Sequence, residues 1–155
     1  MEIKYHSSVV FVKDIELMKS FYIDVIGLEV NYDFGSNMMF RNGFSLWSIG
    51  ENHRIHNKVK ASAEAGNTFE LYFETEHIDQ VAQILNSTRL NFLHELIEEP
   101  WGQRTIRFFD PEENLLEIAE SLHGFVSRMR TEGMSVDAIA EKTGIKSDDV
   151  KKIIS

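Results

Sequence analysis

Glu70, Tyr72 and Glu74 alternate with Phe69, Leu71 and Phe73. This period of two puts two carboxylates and a phenol on one face of a strand and three apolar side chains on the other. Such a polar face meets solvent or lines a pocket. In a pocket, its acids would shuttle a proton or bind a cationic ligand. Arg104 and Arg107 fall on opposite faces of a later strand, so at most one guanidinium points inward, where it could clamp a carboxylate or phosphate. Arg104 is a candidate for that role or for a structural one at a turn. His94 could reach the rim of a pocket, whereas His53 and His56 are spaced for a metal only if their segment is helical, and otherwise read as surface histidines. The absence of cysteine removes disulfides, thiolate ligands and cysteine nucleophiles together.

The chain that must position these groups has 155 residues, 43% of them apolar and 11% aromatic, enough for one well-buried core. A formal net charge of -9 opposes generic binding to nucleic acid or an anionic membrane, and makes small-molecule chemistry the better starting point. The N-terminus lacks the apolar stretch of a signal peptide, and no run approaches the roughly 20 apolar residues of a membrane span. A soluble cytoplasmic protein is expected, with no membrane partner and nucleic acid disfavoured.

Ser8 to Val12 read as a buried strand, with Asp14 placed as the N-cap of a helix from Ile15 to Ile26 and Gly27 as its C-terminal glycine. Three strand candidates follow, Leu28 to Phe34, Met38 to Arg41 and Phe44 to Ile49, the last two separated by the hairpin signal Asn42-Gly43. After a polar connection the order repeats: a strand at Thr68 to Thr75, a helix from about Ile78 to Leu85, and strands near Asn91 to Ile97, Arg104 to Phe109 and Leu115 to Ala119. The expected fold is α+β, two βαβββ repeats (about 1–58 and 65–121) forming a curved mixed sheet in a domain of residues 1–121, followed by a helical C-terminal extension over 122–155.

Val12-Lys13-Asp14, Phe21-Tyr22 and Val25-Ile26-Gly27-Leu28 resemble the V-x-D, F-Y and L-G-L opening of the vicinal oxygen chelate superfamily. The stretch Pro100-Trp101-Gly102-Gln103-Arg104, with Phe108-Phe109-Asp110-Pro111, Asn114 and Glu117, is similar to the P-W-G-x-R, F-x-D-P-x-G-N-x-x-E pattern of its glyoxalase and bleomycin-resistance members. The resemblance covers residues 1 to about 121. It implies a cup-shaped sheet and, in metal-dependent members, one ligand on the first and one on the last strand of each repeat. Counting back seven from Asp14 and Asp79 gives Ser7 and Glu70; laying Gly43 over Glu113 sets Trp47 opposite Glu117. Only Glu70 and Glu117 suit a divalent metal ion, so they are the candidates for metal binding and for catalysis, in a quartet otherwise poor for a glyoxalase. Ser7, Phe11, Trp47, Tyr72, Glu74, His94 and Arg104 are the candidate ligand-binding residues. The aromatics among them either wall the cup or pack in the core.

The resemblance therefore implies a small-molecule ligand, a homodimer, and one of two activities: a lyase-like enzyme, with a divalent metal as its candidate cofactor, or a metal-free binder that sequesters a drug. A third reading comes from Ser135 to Ile145, which look like the first helix and turn of a helix-turn-helix, with Ser135 and Ser147 as N-caps. It would make the protein a ligand-responsive regulator acting through its C-terminal helices. The tail's near balance of basic and acidic residues leaves no phosphate footprint, so packing on the domain or on a partner subunit is the alternative.

Overall fold

The computed structural model describes residues 6–53, 56 and 70–155. Phe69 and most of the expected connection between the repeats lie outside them. The chain divides into two compact units, Met1–Thr68 with Asp110–Asn114, and Phe69–Phe109 with Leu115–Ser155.

In the first unit, Val10 is buried while Val9 and Phe11 are exposed, the alternation of a strand with one covered face, and they form β1 (Ser8–Phe11). Asp14 ends the extended segment as expected, accepting the Leu17 N–H at 3.0 Å to cap α1 (Ile15–Ser20). The helix runs on as a π-helical turn, Phe21–Val25, and Gly27 follows at φ +79. Met18 and Tyr22 on this helix are fully buried. Strands β2 (Val30–Asp33), β3 (Asn37–Phe40) and β4 (Phe44–Trp47) complete a sheet of order β1-β4-β3-β2, in which β1 and β4 are parallel and the other pairs antiparallel.

The second unit repeats the plan. β5 (Leu71–Thr75), α2 (Ile78–Asn86), β6 (Asn91–Glu98), β7 (Arg104–Phe109) and β8 (Leu115–Glu120) give the order β5-β8-β7-β6, with β5 and β8 parallel. Two βαβββ units, each with a four-stranded mixed sheet, make the fold α+β. In the second sheet Leu71, Leu116, Ile118, Ile106 and Phe108 are buried on one face, as are Ile78, Ala82 and Leu85 of α2.

Register corrects one expected equivalence. Ser45 pairs with Val9 and Trp47 with Phe11, whereas Glu117 pairs with Tyr72 and Ala119 with Glu74. With Ser7 matched to Glu70, Ser45 stands at the place of Glu117, and Trp47 at that of Ala119. The cause is turn length: three residues, 41–43, join β3 to β4, but five, Asp110–Asn114, join β7 to β8. The longer turn is organised by buried Asp110, which accepts from the N–H groups of Glu112 and Asn114, the Asn114 amide and, at 2.8 Å, the Tyr22 hydroxyl. Burial raises the proton affinity of Asp110 against these bonds, and drives the Tyr22 phenol far above its ordinary value.

Ser121 caps α3 (Leu122–Thr131) and Ser135 caps α4 (Val136–Thr143); Gly144, at φ +74, leads into α5 (Ser147–Ile153). Ser147 is the first residue of α5 rather than its cap, and its hydroxyl bonds to Asp137 at 3.2 Å. Phe125, Val126, Met129, Ile139 and Val150 form a separate small core for these helices. The first turn of α5 carries Asp148 and Asp149, paired with Lys151 and Lys152, which puts negative charge where a DNA-reading helix would approach phosphate. Among the described residues, no helix is long and apolar enough to cross a membrane.

Candidate functional site

The other face of the second sheet is polar because the sequence alternates there. Tyr72 and Glu74 of β5, Glu117 of β8 and Arg107 of β7 share it, since Tyr72 pairs with Glu117 and Glu117 with Arg107. Arg107 is the centre. Its Nε donates to Glu70 at 3.2 Å, one terminal nitrogen donates to Glu99 at 2.6 Å and to His94 Nε2 at 3.2 Å, and the other pairs with Glu117. His94 Nδ1 lies 2.8 Å from the Glu95 carbonyl, so the tautomer that satisfies both contacts carries its proton on Nδ1. Acceptors from β6, β8, the residue before β5 and the residue after β6 thus converge on one guanidinium.

Burial shapes the electrostatics. Glu117 is 3% exposed, and desolvation raises its proton affinity above the ordinary carboxylate value despite Arg107; nearby Glu70 pushes in the same direction. Glu99 is held below its ordinary value by the Arg107 bond, overriding its own desolvation. Tyr72, half exposed, donates to Glu74 at 3.0 Å and accepts from Gln103 at 3.0 Å; burial and Glu74 bring its phenol up to about 12, against the opposing pull of Gln103.

The structure therefore brings Glu70, Tyr72, Glu74, His94 and Glu117 onto one face of the second unit. Arg104 lies on the other face, bonded to Glu120 and Asp79. In the first unit Phe11 and Trp47 share a face, with ring centroids 5.8 Å apart, and Ser7 precedes the same strand. Sequence reasoning weighed Arg107 against Arg104 and chose Arg104 as the candidate, and it missed Glu99 and Gln103. The signal for Arg107 was present, since it lies on the opposite face from Arg104, but only the strand register says which face holds the acids.

A divalent cation does not suit these residues. The oxygens it would need from Glu70 and Glu117 are bonded to Arg107, and among the described residues no three His, Asp or Glu side chains are grouped so as to hold a metal.

Residues 5–123 match the family described as the glyoxalase-like domain. The chain belongs to that family. The glyoxalase-like assignment agrees with the two βαβββ units and with the expected vicinal oxygen chelate membership. Among solved structures, a protein of unknown function from Agrobacterium tumefaciens is 29% identical, with 79% of this chain and 97% of that one covered and a TM-score of 0.64. A glyoxalase/bleomycin resistance protein/dioxygenase family enzyme from Burkholderia phytofirmans is 18% identical, over 77% of this chain and all of that one, at a TM-score of 0.61. A lactoylglutathione lyase from Agrobacterium tumefaciens is 20% identical, over 78% and 96%, at a TM-score of 0.59. At such identities the last two speak for the fold alone. No curated protein matches the chain in sequence.

Proposed function

We propose that this glyoxalase-like protein binds a small cationic organic molecule on the polar face of its second sheet, without a metal ion. The observation that carries the proposal is the Arg107 guanidinium bonded to Glu70, Glu99 and Glu117: the cluster already contains its cation. With Glu74, four carboxylates on or bordering this face oppose one guanidinium, so the local field still favours a positive ligand, and the half-exposed ring of Tyr72 offers a flat contact. A lyase-like proton transfer by Glu70 and Glu117 is the second reading, favoured by the burial that raises the proton affinity of Glu117. A homodimer, common in the family, and a cytoplasmic location are proposed with it.

The test is a titration with benzamidine and its uncharged analogue benzamide, with and without chelator. Benzamidine should bind, benzamide should not, and chelator should change nothing. Glu74→Gln should weaken binding about tenfold, the worth of one charge-assisted hydrogen bond. Stoichiometric divalent metal in the purified protein, lost together with binding on chelation, would overturn the proposal.

A further inference from the structure

The turn between β6 and β7 is gripped from two sides within the second unit. On one side stands the helical extension. Arg128 of α3 donates to the Gly102 carbonyl at 2.6 Å and to both carboxylate oxygens of buried Glu120 at 3.0 Å, and Lys142 of α4 reaches Glu98 at 2.9 Å. Gly102 has φ +93, and a Cβ there would lie 1.9 Å from the Met129 methyl, so α3 presses against the bare backbone of the turn.

The other side is the polar face. Glu99, next in sequence to Glu98, turns the opposite way to reach Arg107 and Thr105. Gln103, buried in the turn, donates from its amide nitrogen to the Tyr72 hydroxyl at 3.0 Å and to the Glu120 carbonyl at 2.8 Å, while its amide oxygen accepts from the Trp101 ring nitrogen at 3.1 Å. With both amide hydrogens and the oxygen engaged, this side chain has one orientation. A hydrogen from Gln103 then occupies one side of the Tyr72 oxygen, and the phenolic proton is left to point at Glu74.

We propose that the helical extension is a positioning element for the polar face: Arg128 fixes the turn at Gly102 and, through Gln103, sets the direction in which Tyr72 offers its hydroxyl proton. The inference rests on the binding reading above only in taking that face as the place where a ligand is met. Hydrogen bonds weaken steeply with length and angle, so a turn released by Arg128 and displaced by about 1 Å loses the contact with Tyr72.

The experiment uses the full chain carrying 13Cζ-labelled tyrosine, with the Tyr72 resonance assigned through Tyr72→Phe and no ligand present. Arg128→Met removes the clamp; Arg128→Lys keeps a cation beside Glu120, but its nitrogen stands one bond short of the guanidinium nitrogen that reaches the Gly102 carbonyl, so that contact is lost. In both variants the Tyr72 resonance should shift, because the Gln103 donor to its oxygen is lost, while the Tyr22 resonance stays in place. Gln103→Leu should move Tyr72 in the same direction and defines the full effect. Lysine decides the matter if the methionine variant does not fold. A Tyr72 resonance unchanged by Arg128→Lys, beside a clear Gln103→Leu effect, would overturn the proposal. Failure of benzamidine to bind would instead strike the binding reading and leave this one standing.

Discussion

Replacing Arg107 with methionine keeps much of the aliphatic stem and deletes the cation shared by Glu70, Glu99 and Glu117. Glu117 then has no counter-charge at 3% exposure. Removing one partner of a buried pair costs about 3–5 kcal/mol. Glu70 and Glu99 retain some contact with water and add little, and Glu117 can take up a proton, which caps the loss, so about 3 kcal/mol is expected near neutral pH. The pH dependence identifies the cause. The folded-state proton affinity of Glu117 is already raised, so its contribution to stability is fully present below its ordinary value of 4.5 and is lost as pH rises through the higher folded value. Without Arg107 that folded value climbs further. The variant's stability should fall more steeply than the parent's between about pH 5 and pH 8, and adding Glu117→Gln should remove the difference in slope. Urea unfolding followed by circular dichroism measures both. In thermal melts a loss of about 3 kcal/mol corresponds to roughly 6–12 °C for a chain of this size. A loss under about 1 kcal/mol, or the same loss at both ends of the pH range, would refute the view that Arg107 neutralises a buried acid.

Glu113 sits at φ 66, the sole non-glycine residue with positive φ among those described, a conformation that costs a residue with a Cβ about 1 kcal/mol, so Glu113→Gly should be more stable than Glu113→Ala by about that amount in urea unfolding, and equal midpoints would refute the cost. Tyr22→Phe should lower stability by about 1–2 kcal/mol, because buried Asp110 loses a donor at the hub of the β7–β8 turn; an unchanged midpoint would show that Asn114 satisfies that carboxylate without help.

The repeat plan was legible because period-two and helical patterns change at capping residues: Asp14 and Gly27 bracket the first helix, and Asn42-Gly43 marks a hairpin the structure contains. Glu70 and Glu117 were also legible, one from alternation and one from the Asn114-x-x-Glu117 spacing, and they do share a face. The guanidinium between them was harder to see. A strand with Arg104 and Arg107 on opposite faces is symmetrical in sequence, and only pairing with β8 shows that Arg107 aligns with Glu117 and Arg104 with Glu120. Glu99 was hidden in the acidic run Glu98-Glu99, whose members point to different sides. The cap assigned to Ser147 failed because that hydroxyl is taken by Asp137, a residue of another helix that local sequence does not bring near.

The two-residue difference between the hairpin connections of the repeats carries a consequence for how such a duplicated chain can change. Strand side chains alternate, so an even shift of register slides a strand along its neighbour yet leaves every residue on its own side, whereas an odd one would turn Glu117 inward to the place of Leu116 and Ile118 and move those two to the polar face. Surviving shifts of register are thus restricted by parity, and in a library of loop lengths grafted between Phe109 and Leu115 the folded members should keep Glu117 opposite Arg107 or displaced from it by an even number of residues.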